Sequence, residues 1–407
     1  MNQHASIDHV VIVGASLAGI RVAEHVRRLG FEGTLTLIGD EPHLPYDRPP
    51  LSKKVLLGEA SEEELALRTQ PYDELNLDLR LGVRAEGFDS KTRTVRLADG
   101  SSVQGDRIFI CTGVRARPLP NVSPRPGVYT LRNLEDARAI RKGLEENTHV
   151  VVVGGGFIGA EVAAIARQLG REVTLVEPMP TLMIRGLGEK WGAFMEQHHR
   201  DQGVNVRTGV GVAGVRGDDA LEAVELTDGT VIETSLMVVG IGADPNIEWL
   251  QGSGVDLANG VVTDAFGESN IPGVYAVGDV ACFRHEAYGQ HLRVEHWTNA
   301  VEMARAVVTN ALKDDPKVYQ TIPMVWSDQF DLKIQTAGRM DGFDEEVVTM
   351  LDEATGHCLI LRGTEGKLTG AISFNRASLL VRMKMLMAKG VALSDAVAMA
   401  NRMHRPA

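Results

Sequence analysis

The sequence predicts an α/β fold carrying two Rossmann-like nucleotide-binding units. Three observations predict it. A glycine turn of spacing G-x-S-x-x-G (residues 14–19) and a second of spacing G-x-G-x-x-G (residues 154–159) each lie between a strand pattern and a helix pattern. A third stretch, IPGVYAVGDVA (271–281), reads as a buried strand running into Gly278-Asp279. The chain has 407 residues, which allows two to four domains at about 100–200 residues each.

The first turn follows a short β-branched apolar run at 8–13, the pattern of a strand buried on both faces. Gly14 permits the tight turn, the middle position lets the backbone approach a pyrophosphate, and Gly19 lets helix and strand pack closely. The second glycine of the pattern is replaced by Ser16, which is small enough to serve. Ile20, Ala23, Val26 and Leu29 mark the apolar face of the helix, and Gly30 ends it. The strand TLTLIG comes next, followed by Asp40 and Glu41, either of which could hold a ribose.

The second turn is more regular. A strand at 149–153 precedes Gly154, Gly156 and Gly159, and the strand EVTLVE ends in Glu177, 21 residues past Gly156. A carboxylate about 20 residues on accepts hydrogen bonds from ribose hydroxyls and repels a 2′-phosphate. Pro178, Met179 and Pro180 follow it, with no arginine for that phosphate, so NADH is expected over NADPH. RIFICTGVRARP (107–118) and MVVGIGADPN (237–246) each end a strand in a glycine turn, where the chain is expected to cross between units.

Composition narrows the function. Lys and Arg number 42 against 54 Asp and Glu, a net charge of −12, which opposes general nucleic-acid binding. No apolar run reaches the ~18–20 residues that span a bilayer, and the N-terminus lacks a signal-peptide pattern, so a cytoplasmic protein off the membrane is expected. Cys111, Cys282 and Cys358 lie far apart, which excludes a CxxC redox pair and a paired-cysteine zinc site. His43, His285, His291, His296 and His357 show no metal-ligand spacing, and no metal is expected.

With these elements in place, the chain resembles the flavin-dependent NADH:ferredoxin reductases, the family of putidaredoxin, rhodocoxin, rubredoxin and biphenyl-dioxygenase reductases. The resemblance rests on the two turns, CTGVRARP, VYAVGDVA, YDRPPLSK (46–53), VEHWTNA (294–300) and VWSDQFDLKIQTAG (325–338), and it covers essentially the whole chain. It implies an FAD domain from 1–113 and 243–318, an NADH domain inserted as 114–242, and a C-terminal α+β domain over 319–407. It implies FAD and NADH as cofactors and a two-iron two-sulfur ferredoxin as partner. That ferredoxin would feed a bacterial monooxygenase or ring-hydroxylating dioxygenase, with the reductase a monomer or homodimer. A rubredoxin reductase and an NADH oxidase or quinone reductase are the alternatives. The loop EPHLPYDRPPLSK lacks the active cysteine that peroxide-reducing relatives carry there.

The resemblance also assigns residues. Gly14, Ala15, Ser16, Gly19, Asp40, Arg48, Lys53, Val83, Arg132, Asp279 and Trp297 would contact FAD. Gly154, Gly156, Gly159, Glu177 and Arg185 would contact NADH. Lys53 and Glu161 would act at the reacting rings by position and charge, with no acid–base role. Glu161 also reads as a first-turn carboxylate facing the helix dipole, and Val83 as an ordinary strand residue. Trp326, Arg376, Arg382 and Lys384 are the candidate docking residues. The segment 371–407 carries six cations, the others being Lys389, Arg402 and Arg405, against the single acid Asp395. A basic patch of that kind suits an acidic ferredoxin.

Overall fold

A computed structural model describes residues 7–67, 71–352 and 357–403; Arg405 lies outside the described residues. The chain divides into two compact units, one of Met1–Asp47, Glu62–Arg115 and Ala243–Thr321, the other of Arg48–Ser61, Ala116–Gly242 and Ile322–Ala407.

The first unit is built on a five-stranded parallel sheet in the order Val274–Ala276, Arg107–Ile110, His9–Val13, Thr34–Ile38, Asp78–Arg80. Its central strands are buried from their second residue on, His9–Val13 through Val10–Val13 and Thr34–Ile38 through Leu35–Ile38, because parallel strands are covered on both faces. The helices Leu17–Arg28 and Trp297–Leu312 pack into one core with them, through Ile20, Val26, Met303 and Val307. An antiparallel sheet of Ala85–Asp89, Thr94–Leu97 and Ser102–Gln104 joins the third and fourth parallel strands in sequence.

The second unit repeats the plan. Its parallel sheet runs Asn205–Thr208, Glu172–Glu177, His149–Val153, Met237–Val239, Val128–Thr130, with an antiparallel three-stranded excursion over 212–233. The strands at 149–153 and 172–177 fall where the apolar pattern puts them. The same unit holds a five-stranded antiparallel sheet ordered Met324–Gln329, Leu332–Gly338, Lys367–Phe374, His357–Thr364, Glu345–Asp352. The helices Ala377–Ala388 and Leu393–Met403 close one face of it through Leu379, Leu380, Met383, Met387, Leu393 and Ala396.

Cys111, Cys282 and Cys358 are buried and free. Burial raises all three thiols, Cys358 to about 11, so none is a ready nucleophile at neutral pH. No helix among the described residues is long and apolar enough to cross a membrane.

Candidate functional site

Both glycine turns are fixed by backbone packing. Gly14 has φ +117°, and a Cβ there would stand 2.2 Å from the Cys111 carbonyl oxygen. A Cβ on Gly19 would stand 1.9 Å from the Gly14 oxygen. Gly154 and Gly159 repeat this, with φ +105° at Gly154 and a Cβ on Gly159 only 2.0 Å from the Gly154 oxygen. The middle position differs, because a Cβ on Gly156 would meet nothing within 4 Å. That open space is why Ser16 is tolerated at the corresponding place in the first turn. Ser16 and Gly156 are the N-caps of their helices, neither giving a side-chain cap and neither helix carrying an acid in its first turn. Amides of each first turn are left to face an anion.

The acids that follow the two turns also differ for a steric reason. In the second unit, Glu177 Oε2 accepts from the Gly155 N–H at 2.6 Å and Oε1 from the Met179 N–H at 2.8 Å. The carboxylate is seated at the strand end beside the turn. In the first unit the residue in that register is Gly39, since Val13 pairs with Ile38 as Val153 pairs with Val176. A Cβ on Gly39 would lie 2.6 Å from the Ala15 Cβ, so no side chain fits and the acid moves along the chain. The Tyr46 hydroxyl donates to Glu41 at 2.5 Å, whereas Asp40 is exposed and has no partner among the described residues. Of the two acids, Asp40 is therefore the one whose carboxylate is not engaged by Tyr46. Val83 proves to lie in the connection after Asp78–Arg80, not in a strand, and its N–H donates to the Gly39 oxygen at 2.9 Å.

Gly278 brings its neighbour Asp279 to the first turn as well. A Cβ on Gly278 would lie 2.9 Å from the Ala18 Cβ, so only glycine lets this segment approach the helix start. A strand, Ala281–His285, follows Asp279, so the half-buried carboxylate caps no long helix. Trp297 opens its helix and donates Nε1–H to Asp47 Oδ1 at 2.8 Å. Burial raises the Asp47 carboxyl, against the opposing effect of that hydrogen bond.

In the second unit two of the assigned residues, Lys53 and Glu161, meet as an ion pair. Glu161 is the fifth residue of the helix Phe157–Gln168, one position past its first turn, and is 4% exposed. A helix-dipole role is therefore replaced by a buried ionic one. Lys53 Nζ lies 2.8 Å from Glu161 Oε1. Ser327 Oγ donates to the same oxygen at 2.7 Å, and Ser52 Oγ donates to Oε2 at 2.5 Å. Three donors, one of them cationic, are what a buried carboxylate requires. Arg48 donates to the Arg132 carbonyl at 2.7 Å, and the Arg132 N–H donates to Asp136 Oδ2 at 2.8 Å, just before the capping box of Asn133 and Asp136. Arg185 is exposed on the short helix Ile184–Leu187, close after Glu177 in sequence.

Sequence reasoning missed Ser52, Ser327, Gln329 and His199. Gln329 Nε2 donates to Ser327 Oγ at 3.0 Å, and His199 Nε2 lies 2.8 Å from Gln329 Oε1. Residues Ser327 and Gln329 alternate with Trp326 and Asp328 on the strand Met324–Gln329 and take its buried face. A serine and a glutamine one strand step apart beside a tryptophan was the available signal.

His199 is fully buried, and desolvation lowers it to about 4 against an ordinary 6.5. The unfolded chain then takes up the proton first as pH falls. The stability tied to neutral His199 is whole above pH 6.5 and is lost between there and pH 4, up to about 3 kcal/mol. Urea unfolding across that window should show a shallower fall for His199→Phe than for the parent; parallel curves would contradict the assignment.

Among the described residues no three or more His, Cys, Asp or Glu side chains are grouped so as to hold a metal. Residues 8–304 match the family described as pyridine nucleotide-disulphide oxidoreductase, and residues 324–404 match a reductase C-terminal family. The chain is 37% identical over 349 residues to putidaredoxin reductase from Pseudomonas putida, covering 84% of this chain and 82% of that protein. It is 37% identical over 369 residues to the ferredoxin reductase component of a chlorobenzene dioxygenase from Cupriavidus sp. (strain PS12), covering 90% and 88%. Among solved structures, putidaredoxin reductase in its covalent complex with putidaredoxin superposes with a TM-score of 0.92 at 32% identity, covering 97% of this chain and 99% of that one. A ferredoxin reductase from Rhodopseudomonas palustris gives 0.91 at 34% identity, covering 97% and 98%.

Proposed function

The chain belongs to the pyridine nucleotide-disulphide oxidoreductase family, and on that footing we propose that it is an FAD-dependent NADH:ferredoxin reductase. It passes electrons from NADH to a two-iron two-sulfur ferredoxin that serves a bacterial monooxygenase or ring-hydroxylating dioxygenase. The observation that carries this is the pair of glycine turns, each with an uncapped helix start and an acid near the end of the next strand. A cytoplasmic location fits a partner of that kind.

The residues fit the two cofactors. Gly14, Ala15, Ser16 and Gly19 would hold the FAD pyrophosphate and Asp40 its ribose, with Val83, Asp279 and Trp297 as further contacts. Arg48, Lys53 and Arg132 complete the flavin set, and the FAD domain would comprise 1–113 with 243–318. Gly154, Gly156 and Gly159 would hold the NADH pyrophosphate, with Arg185 beside it, in the domain 114–242. Glu177, already braced by two backbone N–H groups, takes the ribose hydroxyls and repels a 2′-phosphate. FAD supplies the chemistry that turns an electron pair into single electrons. The Glu161 carboxylate would supply negative charge at the nicotinamide ring, and its partner Lys53 would supply positive charge at the flavin. Neither has to move a proton.

The C-terminal domain, 319–407, supplies the docking surface. The outward face of the helix Ala377–Ala388 carries Val381 and Met385, 46% and 54% exposed, with Arg382 exposed beside them. Arg376 is the N-cap of that helix, Lys384 is half-buried on it, and Trp326 is half-buried on the edge strand. Replacing Arg376, Arg382 and Lys384 together by glutamine should raise the KM for ferredoxin about tenfold, at roughly 0.5 kcal/mol per rim charge. NADH–ferricyanide turnover should hold within about twofold, since that small acceptor needs no docking surface. Equal losses in both assays would refute the docking role.

NADH oxidation with and without a purified two-iron two-sulfur ferredoxin tests the function. Slow oxidation in air and fast oxidation with ferredoxin is the expected pattern. Fast oxygen consumption that ferredoxin does not alter would mark an oxidase instead.

A further inference from the structure

We propose that Gln329 is a positioning residue that braces two parts of the NADH site at once, the Glu161 carboxylate and the Gly155 turn. The inference deepens the NADH reading above and rests on it.

Gln329 is fully buried, and each atom of its carboxamide is used. The nitrogen donates to Ser327 Oγ at 3.0 Å and to Met183 Sδ at 3.4 Å. The oxygen must then accept, so His199 Nε2, 2.8 Å away, carries the imidazole proton. This leaves His199 Nδ1 bare, and that atom is buried without a partner. The Ser327 hydroxyl accepts from Gln329, so its own hydrogen points to Glu161 Oε1 at 2.7 Å. One arm therefore runs His199 to Gln329 to Ser327 to Glu161, with every donor directed at the carboxylate. The other arm runs through Met183. Its backbone is held at φ +48°, a left-handed conformation that a non-glycine residue adopts only under constraint. Its N–H donates to the Gly155 oxygen at 2.7 Å, and the Gly155 N–H donates to Glu177. An apolar side chain of similar volume would fill the same space, so packing alone does not explain a buried polar chain with one consistent direction.

The test uses the FAD-loaded protein with 15N-labelled histidine, and Gln329→Met, which keeps the volume and removes both arms. In the parent, one histidine should show the neutral Nε2–H tautomer and hold it down to pH 5.5; in Gln329→Met its nitrogen shifts should change. Gln329→Met should weaken NAD+ binding and slow flavin bleaching by NADH, each about tenfold, the loss of one hydrogen bond to a charged or constrained group. In a Ser327→Ala background, Gln329→Met should still weaken NAD+ binding but slow bleaching no further. If Gln329→Met fails to fold, His199→Phe removes only the donor to Gln329 Oε1 and should slow bleaching at least threefold. Unchanged nitrogen shifts, affinity and rate would overturn the proposal, as would equal extra slowing in both backgrounds or an indifferent His199→Phe. A parent protein that neither binds NAD+ nor bleaches with NADH would overturn the NADH reading itself; an active parent with silent variants sinks only this inference.

Discussion

Glu161→Gln is expected to slow reduction of the bound flavin by NADH about 10²-fold, the usual cost of removing one preorganised charged group from a buried site. The amide is nearly isosteric. Its oxygen can face Lys53 and Ser327, which share Oε1, while its nitrogen faces Ser52, whose hydroxyl can turn to accept. The fold should therefore survive with a melting temperature close to that of the parent. What is lost is the negative charge that balances Lys53 and that would meet the positive charge developing on the nicotinamide. Anaerobic stopped-flow bleaching of the flavin measures this. A rate within threefold of the parent would show that the charge of Glu161 does not act on the reaction.

Arg362→Ala should destabilise the second unit by about 3 kcal/mol, because it breaks a buried ion pair and leaves Glu346 with only the exposed Lys190 as its cation. Arg362 side chain is 2% exposed. Its Nε and Nη2 reach Glu346 Oε2 at 3.0 and 2.9 Å, Nη1 reaches the Met340 oxygen at 2.9 Å, and Nη2 reaches the Leu187 oxygen at 2.6 Å. The guanidinium also lies over the Phe343 ring at 4.4 Å. Glu346 in turn receives Trp191 Nε1–H at 3.1 Å and pairs with Lys190 at 3.3 Å. One arginine thus joins the antiparallel sheet to the segment 187–191. Melting followed by circular dichroism should fall by about 10 °C, at roughly 2–4 °C per kcal/mol for a domain of this size. Adding Glu346→Leu should restore part of the loss, since the carboxylate that has lost its buried cation goes with it. A double variant less stable than Arg362→Ala alone would contradict that explanation.

Features set by local chain geometry were legible in the sequence. The glycine turns are examples, because a Cβ at Gly14, Gly19, Gly154 or Gly159 would collide with backbone, so the residue type itself records the contact. The parallel strands are others, because burial on both faces leaves an uninterrupted apolar run. The site around Glu161 was only half legible. Glu161 is the one charge in GFIGAEVAAIA, which marks it as unusual, but the pattern does not name its partners. Ser52 is 109 positions away in sequence and Ser327 is 166. Contacts over such separations depend on how elements fold together, and no spacing rule encodes them. WSDQ drew attention to Trp326, whereas the buried face of that strand belongs to Ser327 and Gln329. Likewise Arg362 is the lone charge in the strand His357–Thr364, a mark of a buried ion pair whose partner only the sheet register supplies.

The central claim is that this chain converts the electron pair of NADH into single electrons for an iron–sulfur protein. Anaerobic titration of the FAD-loaded protein and excess oxidised two-iron two-sulfur ferredoxin with NADH tests it most directly. The expected result is two ferredoxins reduced for each NADH consumed, with none reduced when the flavoprotein is left out. NADH consumed without ferredoxin reduction, or a flavin that NADH does not bleach at all, would contradict it.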